Sequence, residues 1–126
     1  MKKLLIILLC LPMIGFGQGW DQTFPSGVFG GLTSSKQTTD GGYIVCGGKY
    51  FNGMDVYLIK TDGLGNEQWN QTFGGTEWDE GYSVQQTTDG GYIITGKTYS
   101  FGNGNYDVYL IKTDANGNEQ WNQTFG

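Results

Sequence analysis

Most of this chain is written twice. Gln37-Thr38-Thr39-Asp40-Gly41-Gly42-Tyr43-Ile44 returns 49 residues later as the stretch from Gln86 to Ile93. Asp55-Val56-Tyr57-Leu58-Ile59-Lys60-Thr61-Asp62 returns 52 residues later, from Asp107 to Asp114, and the nine residues from Asn66 to Gly74 return from Asn118 to Gly126. A period near 50 residues belongs to stacked architectures, in which each unit is one supersecondary element that buries its apolar face only against a neighbour. Whatever the chain does, its fold is constrained to two alike units in contact.

Each unit reads as four short strands. In the second copy they are Tyr82 to Thr87, Tyr92 to Thr98, Asp107 to Thr113 and Glu119 to Phe125, rich in the β-branched and aromatic residues that strands favour. With 23 glycines, helices would be costly. Asp40-Gly41 and Asp89-Gly90 sit between the first two strands of each copy and predict two-residue type I′ hairpins. Between the last two strands one copy has Leu64-Gly65 and the other Asn116-Gly117. Leucine is strained at positive φ, so a type I turn followed by a left-handed glycine suits both.

The third strand decides the packing. Val-Tyr-Leu-Ile is apolar on both parities, which predicts a strand buried on both faces of its sheet. Four-stranded antiparallel meanders sandwiched between like neighbours are β-propeller blades. The expected fold is therefore all-β, with tandem four-stranded antiparallel blades over residues 33–74 and 82–126. An orphan N-terminal strand over 18–24 carries Trp20-Asp21-Gln22-Thr23-Phe24, the counterpart of the fourth strand. Trp20, Trp69 and Trp121 each open a Trp-x-Gln-Thr-Phe run; their recurrence at one strand position reads as a plug between units rather than a ligand platform.

Residues 1–17 read as a secretory signal peptide: Lys2 and Lys3, an apolar run from Leu4 to Leu11, then Gly15-Phe16-Gly17 as a small-x-small cleavage site. The run is too short to span a bilayer. Cys10 lacks the small residues before it that lipid attachment needs. Cleavage there leaves residues 18–126, a partial β-propeller with five lysines, no arginine and twelve carboxylates, net −7. That balance argues against nucleic acid and anionic membrane as partners.

No histidine is present, which excludes Ser-His and Cys-His triads and the usual zinc sites. Cys46, whose counterpart is Thr95, reads as packing. The Asp114 to Glu119 segment resembles a calcium loop, but its glycine arrives at the fourth position, and the first copy puts Leu64 at the third. A plain turn, with no metal and no cofactor, is the expectation. Ligand-binding candidates fall in the second copy's long loops, which a meander places at one end of the sheet. They are Trp78, Asp79 and Glu80, together with Tyr99, Phe101, Asn103, Asn105 and Tyr106. Aromatic faces stack on the apolar side of sugars while amides and carboxylates take their hydroxyls. Turn formation alone would also explain the Gly and Asn.

The repeated DGGYI…DVYLIKTD…GNEQWNQTFG string resembles a broad group of secreted bacterial β-propeller repeat proteins, over Trp20 to Gly126. The resemblance implies blades at or beyond the cell surface and implies no activity. Asp114, Gly117 and Trp121 are also similar, in order, to the tryptophan-docking motif of quinoprotein-type propellers. The motif's threonine is missing, so the likeness implies blade geometry and no quinone.

The expected function is a non-catalytic binding scaffold, secreted or on the cell surface, with a glycan or a protein as ligand. The alternatives are a propeller portion of an extracellular carbohydrate-active hydrolase or lyase, and a purely architectural repeat. A closed propeller needs at least four blades. Two units and an orphan strand therefore imply further blades, from more sequence or from identical chains assembling.

Overall fold

The computed structural model describes residues 31–50 and 52–126. The signal peptide and the orphan strand expected over 18–24 lie outside the described residues. Eight strands follow one another: β1 Leu32–Gln37, β2 Tyr43–Tyr50, β3 Met54–Thr61, β4 Glu67–Phe73, β5 Asp79–Gln86, β6 Tyr92–Thr98, β7 Asp107–Thr113 and β8 Glu119–Phe125. They form two antiparallel meanders, β1-β2-β3-β4 and β5-β6-β7-β8. Among the described residues all regular structure is β, and no helix is long and apolar enough to cross a membrane.

β6, β7 and β8 span the predicted residues, whereas β5 begins at Asp79 instead of Tyr82. A bulge between Gly81 and Ser83 leaves Tyr82 unpaired, and pairing then continues through Glu80↔Lys97 to Asp79↔Thr98. Asp, Glu and Gly are poor strand formers, so composition conceals this extension. It occurs because the bulge reorients the strand and gives Asp79 a buried set of donors.

The turns also differ from expectation at one place. Type I′ was expected at Asp40-Gly41 and Asp89-Gly90, yet only the glycines, at +85° and +83°, take positive φ. Gly41 N–H donates to the Thr38 carbonyl and Thr38 N–H to the Gly42 carbonyl, both at 2.9 Å. This is a type I turn closed by a left-handed glycine, the geometry expected and found at Asp62 to Asn66 and Asp114 to Asn118. The aspartate is held in the ordinary region because its carboxylate has work there. Asp40 Oδ1 accepts from Thr38 Oγ1 at 2.5 Å and Gly42 N–H at 2.9 Å, and Oδ2 pairs with Lys60 Nζ at 2.9 Å. Those hydrogen bonds, Thr38 first, hold the Asp40 carboxyl far below the usual carboxylate range. Lys60 is itself buried and completes its shell with the Thr61 carbonyl at 2.8 Å and Gln68 Oε1 at 3.0 Å. A buried ammonium is tolerable only with such a shell. Lys112, Asp89, Thr113 and Gln120 repeat it.

The two sheets pack face to face. Ile44, Cys46, Val56, Leu58 and Phe73 of the first meet Val84, Tyr92, Ile94, Tyr109 and Ile111 of the second in one core, with Trp69 packed against it. β5 lies over β1, β2 and β3. Gly81 makes this approach possible: a Cβ there would collide with Cys46 Sγ and come within 2.9 Å of Val56 Cγ1. Thr33 Oγ1 adds a hydrogen bond across the sheets to the Gly81 carbonyl at 2.6 Å. Trp69 fills the expected plug position. Its ring meets Tyr92 edge-on at 5.8 Å and lies against Gly117, where a Cβ would be 2.6 Å from the indole. Burial raises the Cys46 thiol to about 12, so it stays a protonated packing group.

The third strand of the first unit is buried on both faces, as its composition demands. Its counterpart β7 is buried on one. Val56 is 0% exposed and Val108 48%; Phe73 is 7% exposed and Phe125 55%. Trp121 is exposed where Trp69 is not. The outer face of the second sheet therefore presents the side chains that the first sheet buries, with no third sheet over them among the described residues.

This asymmetry has a measurable consequence in denaturant unfolding of the purified protein. Val56→Ala is expected to cost about 2 kcal/mol through lost burial and an unfilled space. The chemically identical Val108→Ala is expected to stay within about 0.5 kcal/mol of wild type. Equal costs would show that the two positions have equal surroundings.

Candidate functional site

Three loops meet at one end of the stacked sheets. The connection from β4 to β5 carries Gly74 to Trp78, the one from β6 to β7 carries Tyr99 to Tyr106, and Tyr50 and Gly53 flank the turn from β2 to β3. The meander forces this convergence, because connections after even-numbered strands all fall on the same side of each sheet. Met54 and Trp78 form a parallel bridge across the two units. Trp78 accepts a hydrogen bond from Tyr99 N–H at its carbonyl, 2.8 Å, and Glu77 N–H donates to Ser100 Oγ at 3.1 Å.

Asp79 organises the junction. It is fully buried. Its carboxylate accepts from Thr98 Oγ1 and from Ser100 Oγ at 2.5 Å, and from Gly75 N–H at 2.8 Å. One carboxylate thus ties the β4–β5 loop to the β6–β7 loop. Gly74 passes between Asp79 and Asp55, leaving no room for a Cβ. Burial and the Asp79 charge push the Asp55 carboxyl above its ordinary range. In the second unit Asp107, the counterpart of Asp55, accepts Asn103 N–H at 2.9 Å and packs against Gly102 and Gly126. A buried carboxylate with several donors is a loop clamp, and losing one donor leaves a costly polar group.

The exposed surface of the junction is aromatic. Glu77, Trp78, Tyr99 and Tyr106 line a groove of about 350 Å3. Tyr99 and Tyr106 lean together with ring centroids 3.5 Å apart, and Tyr50 meets Trp78 edge-on at 6.4 Å. Glu80 sits beside the groove, ion-paired with Lys97 at 3.4 Å and accepting the Tyr82 hydroxyl at 2.8 Å. Lys97 Nζ lies 4.1 Å from the Tyr106 ring centre and 5.6 Å from that of Tyr82. The Tyr82 hydroxyl, then Glu80, hold the Lys97 ammonium charged well above the usual lysine range.

Of the residues singled out from sequence, Trp78, Tyr99 and Tyr106 come together in the groove. Asp79 is the clamp beneath it, and Glu80 is engaged by Lys97 at its edge. Phe101 packs on Tyr109, 5.6 Å between ring centres. Asn103 and Asn105 lie exposed along the same loop, outside the lining. Sequence reasoning left out Tyr50 and Lys97, and placed Glu77 in the same candidate loop without counting it among the binding residues. Tyr50 had a signal: it is the repeat counterpart of Tyr99, at the end of the second strand in each unit. Lys97 had none, since its counterpart is Gly48.

A second concavity, about 300 Å3, opens at the opposite end between Lys36, Gln37, Thr39, Gln85 and Gln86. It is polar, lacks aromatic walls, and is bridged by Thr39 N–H donating to Gln86 Oε1 at 2.9 Å. Among the described residues no cluster of three metal-ligating side chains occurs. Asp114, in the calcium-like segment, accepts from Asn116 N–H and Asn118 N–H, both at 2.9 Å.

No family model matches the chain, and no curated protein matches it either.

Asp79→Asn tests the clamp. Replacing an all-accepting carboxylate with an amide sets one donor facing donors, so hydrogen exchange should rise at least tenfold at the Gly75 amide, and should rise at the Ser100 amide, which donates to Thr98 Oγ1 at 3.0 Å and to Asp79 at 3.4 Å, with the strands still protected. Unchanged exchange at both amides would show that the loops are held by something else.

Proposed function

We propose that the two sheets are blades of a β-propeller-type repeat and that the protein is an exported, non-catalytic binding scaffold whose loop-end groove takes a glycan. The observation that carries this reading is the convergence of Trp78, Tyr99 and Tyr106 on one open groove, from loops that a buried carboxylate clamps in place. Solvent-facing aromatic rings on a rigid frame offer the flat apolar surface that a sugar ring's C–H face covers. Export to the cell surface or beyond is supported by the basic, apolar and small-residue sequence of the first 17 residues.

A second, architectural reading draws support from the outer face of the second sheet. Val108, Trp121 and Phe125 repeat the contact set by which Val56, Trp69 and Phe73 hold the second sheet. Such a face suits a further blade, supplied by additional sequence or by another copy of the chain. The two readings are compatible, since a scaffold both stacks and binds.

A glycan array probed with the purified protein separates them. Wild type is expected to retain at least one glycan class, and Trp78→Ala and Tyr99→Ala each to lower that binding tenfold or more with unchanged thermal unfolding. A folded wild-type protein that retains no glycan would leave the architectural reading and remove the binding one.

A further inference from the structure

Resting on the glycan reading, we infer that the groove selects sugars carrying a free, protonated amine over their acetylated or acidic relatives. Charge carries this step. Glu77 is one of the four residues lining the groove and, among the described residues, takes part in no ion pair. Its neighbour Glu80 is already matched by Lys97. The groove therefore combines three aromatic rings with one unmatched negative charge, in a chain of net charge −5. Uronate and sulfated glycans meet repulsion there, and neutral sugars leave Glu77 without a partner.

The aromatic cluster already shows its affinity for an ammonium. Lys97 Nζ sits over the Tyr106 ring of the lining at 4.1 Å, within the range in which a ring's negative face attracts a cation. An amino sugar satisfies both halves of the lining in one residue: its C–H face covers a ring, and its ammonium reaches the Glu77 carboxylate. A lysine-rich peptide supplies the ammonium alone, without a flat apolar face for Trp78 or the leaning Tyr99–Tyr106 pair.

Calorimetric titration of the full chain distinguishes these cases, with a glucosamine tetramer, its fully N-acetylated form and tetra-lysine as probes. At a pH where the amine is charged, the glucosamine tetramer should bind at least tenfold more tightly than the acetylated tetramer and than tetra-lysine. Glu77→Gln should weaken the glucosamine tetramer about tenfold and narrow its lead over the acetylated form to under threefold. Raising the pH until the amine is neutral should narrow the lead in wild type in the same way. Acetylated sugar bound as well as or better than glucosamine, or a lead that survives Glu77→Gln, overturns amine selection while leaving glycan binding standing. Tetra-lysine binding as tightly as glucosamine overturns it in favour of a peptide. If neither tetramer binds, while the array also shows nothing, the glycan reading fails first and amine selection with it.

Discussion

Everything in this molecule depends on one sheet lying against another. Each unit alone is a four-stranded meander with an apolar surface it has no means of covering. The first unit covers Ile44, Cys46, Val56, Leu58 and Phe73 with Val84, Tyr92, Ile94, Tyr109 and Ile111 of the second. Non-directional burial supplies the drive. The fit is set by backbone: Gly81 brings β5 against Cys46 and Val56, and Gly117 brings the last turn against the Trp69 indole. Polar groups near the contact are satisfied locally, by the Lys60 and Lys112 shells at one end and the Asp79 clamp at the other. Among the described residues no buried side-chain polar atom lacks a partner.

The candidate site follows from this stacking. The loops that carry Trp78, Tyr99 and Tyr106 come to one end because the strands alternate in direction, and they meet Tyr50 of the other unit because the sheets are face to face. The groove is thus a product of the repeat, while its residues are where the repeat departs from itself. The β6–β7 loop is longer than its counterpart between β2 and β3. Lys97 stands where the first unit has Gly48. Repetition builds the frame and divergence furnishes the surface, as is usual for loops on a rigid scaffold.

Much of the frame was legible before any coordinates. Three of the four strands of the second unit, the two-sided burial of β3 and the plug position of Trp69 follow from apolar pattern and recurrence. The failures have physical causes. Asp79 and Glu80 look like loop because strand propensity does not register a residue whose side chain is rewarded by Thr98, Ser100 and Gly75. Asp40-Gly41 looks like a type I′ pair because propensity ignores what the carboxylate binds, and here Thr38 and Lys60 hold the aspartate at negative φ. β7 was expected to be covered twice from composition, but composition states what a strand tolerates and not how many neighbours it has. Of the groove, the aromatic residues were visible as loop residues. Their meeting with Glu77 was not, because it depends on the hydrogen bonds that fold the two loops together.

The most direct test is a nuclear Overhauser measurement on the labelled chain between the two sheets. Stacked sheets predict strong cross-peaks from the Gly81 α-protons to the Cys46 β-protons and the Val56 methyls, and from the Gly117 α-protons to the Trp69 indole. Well-resolved signals from those residues without any such cross-peaks would mean that the two meanders do not face each other, and the site built on their junction would go with them.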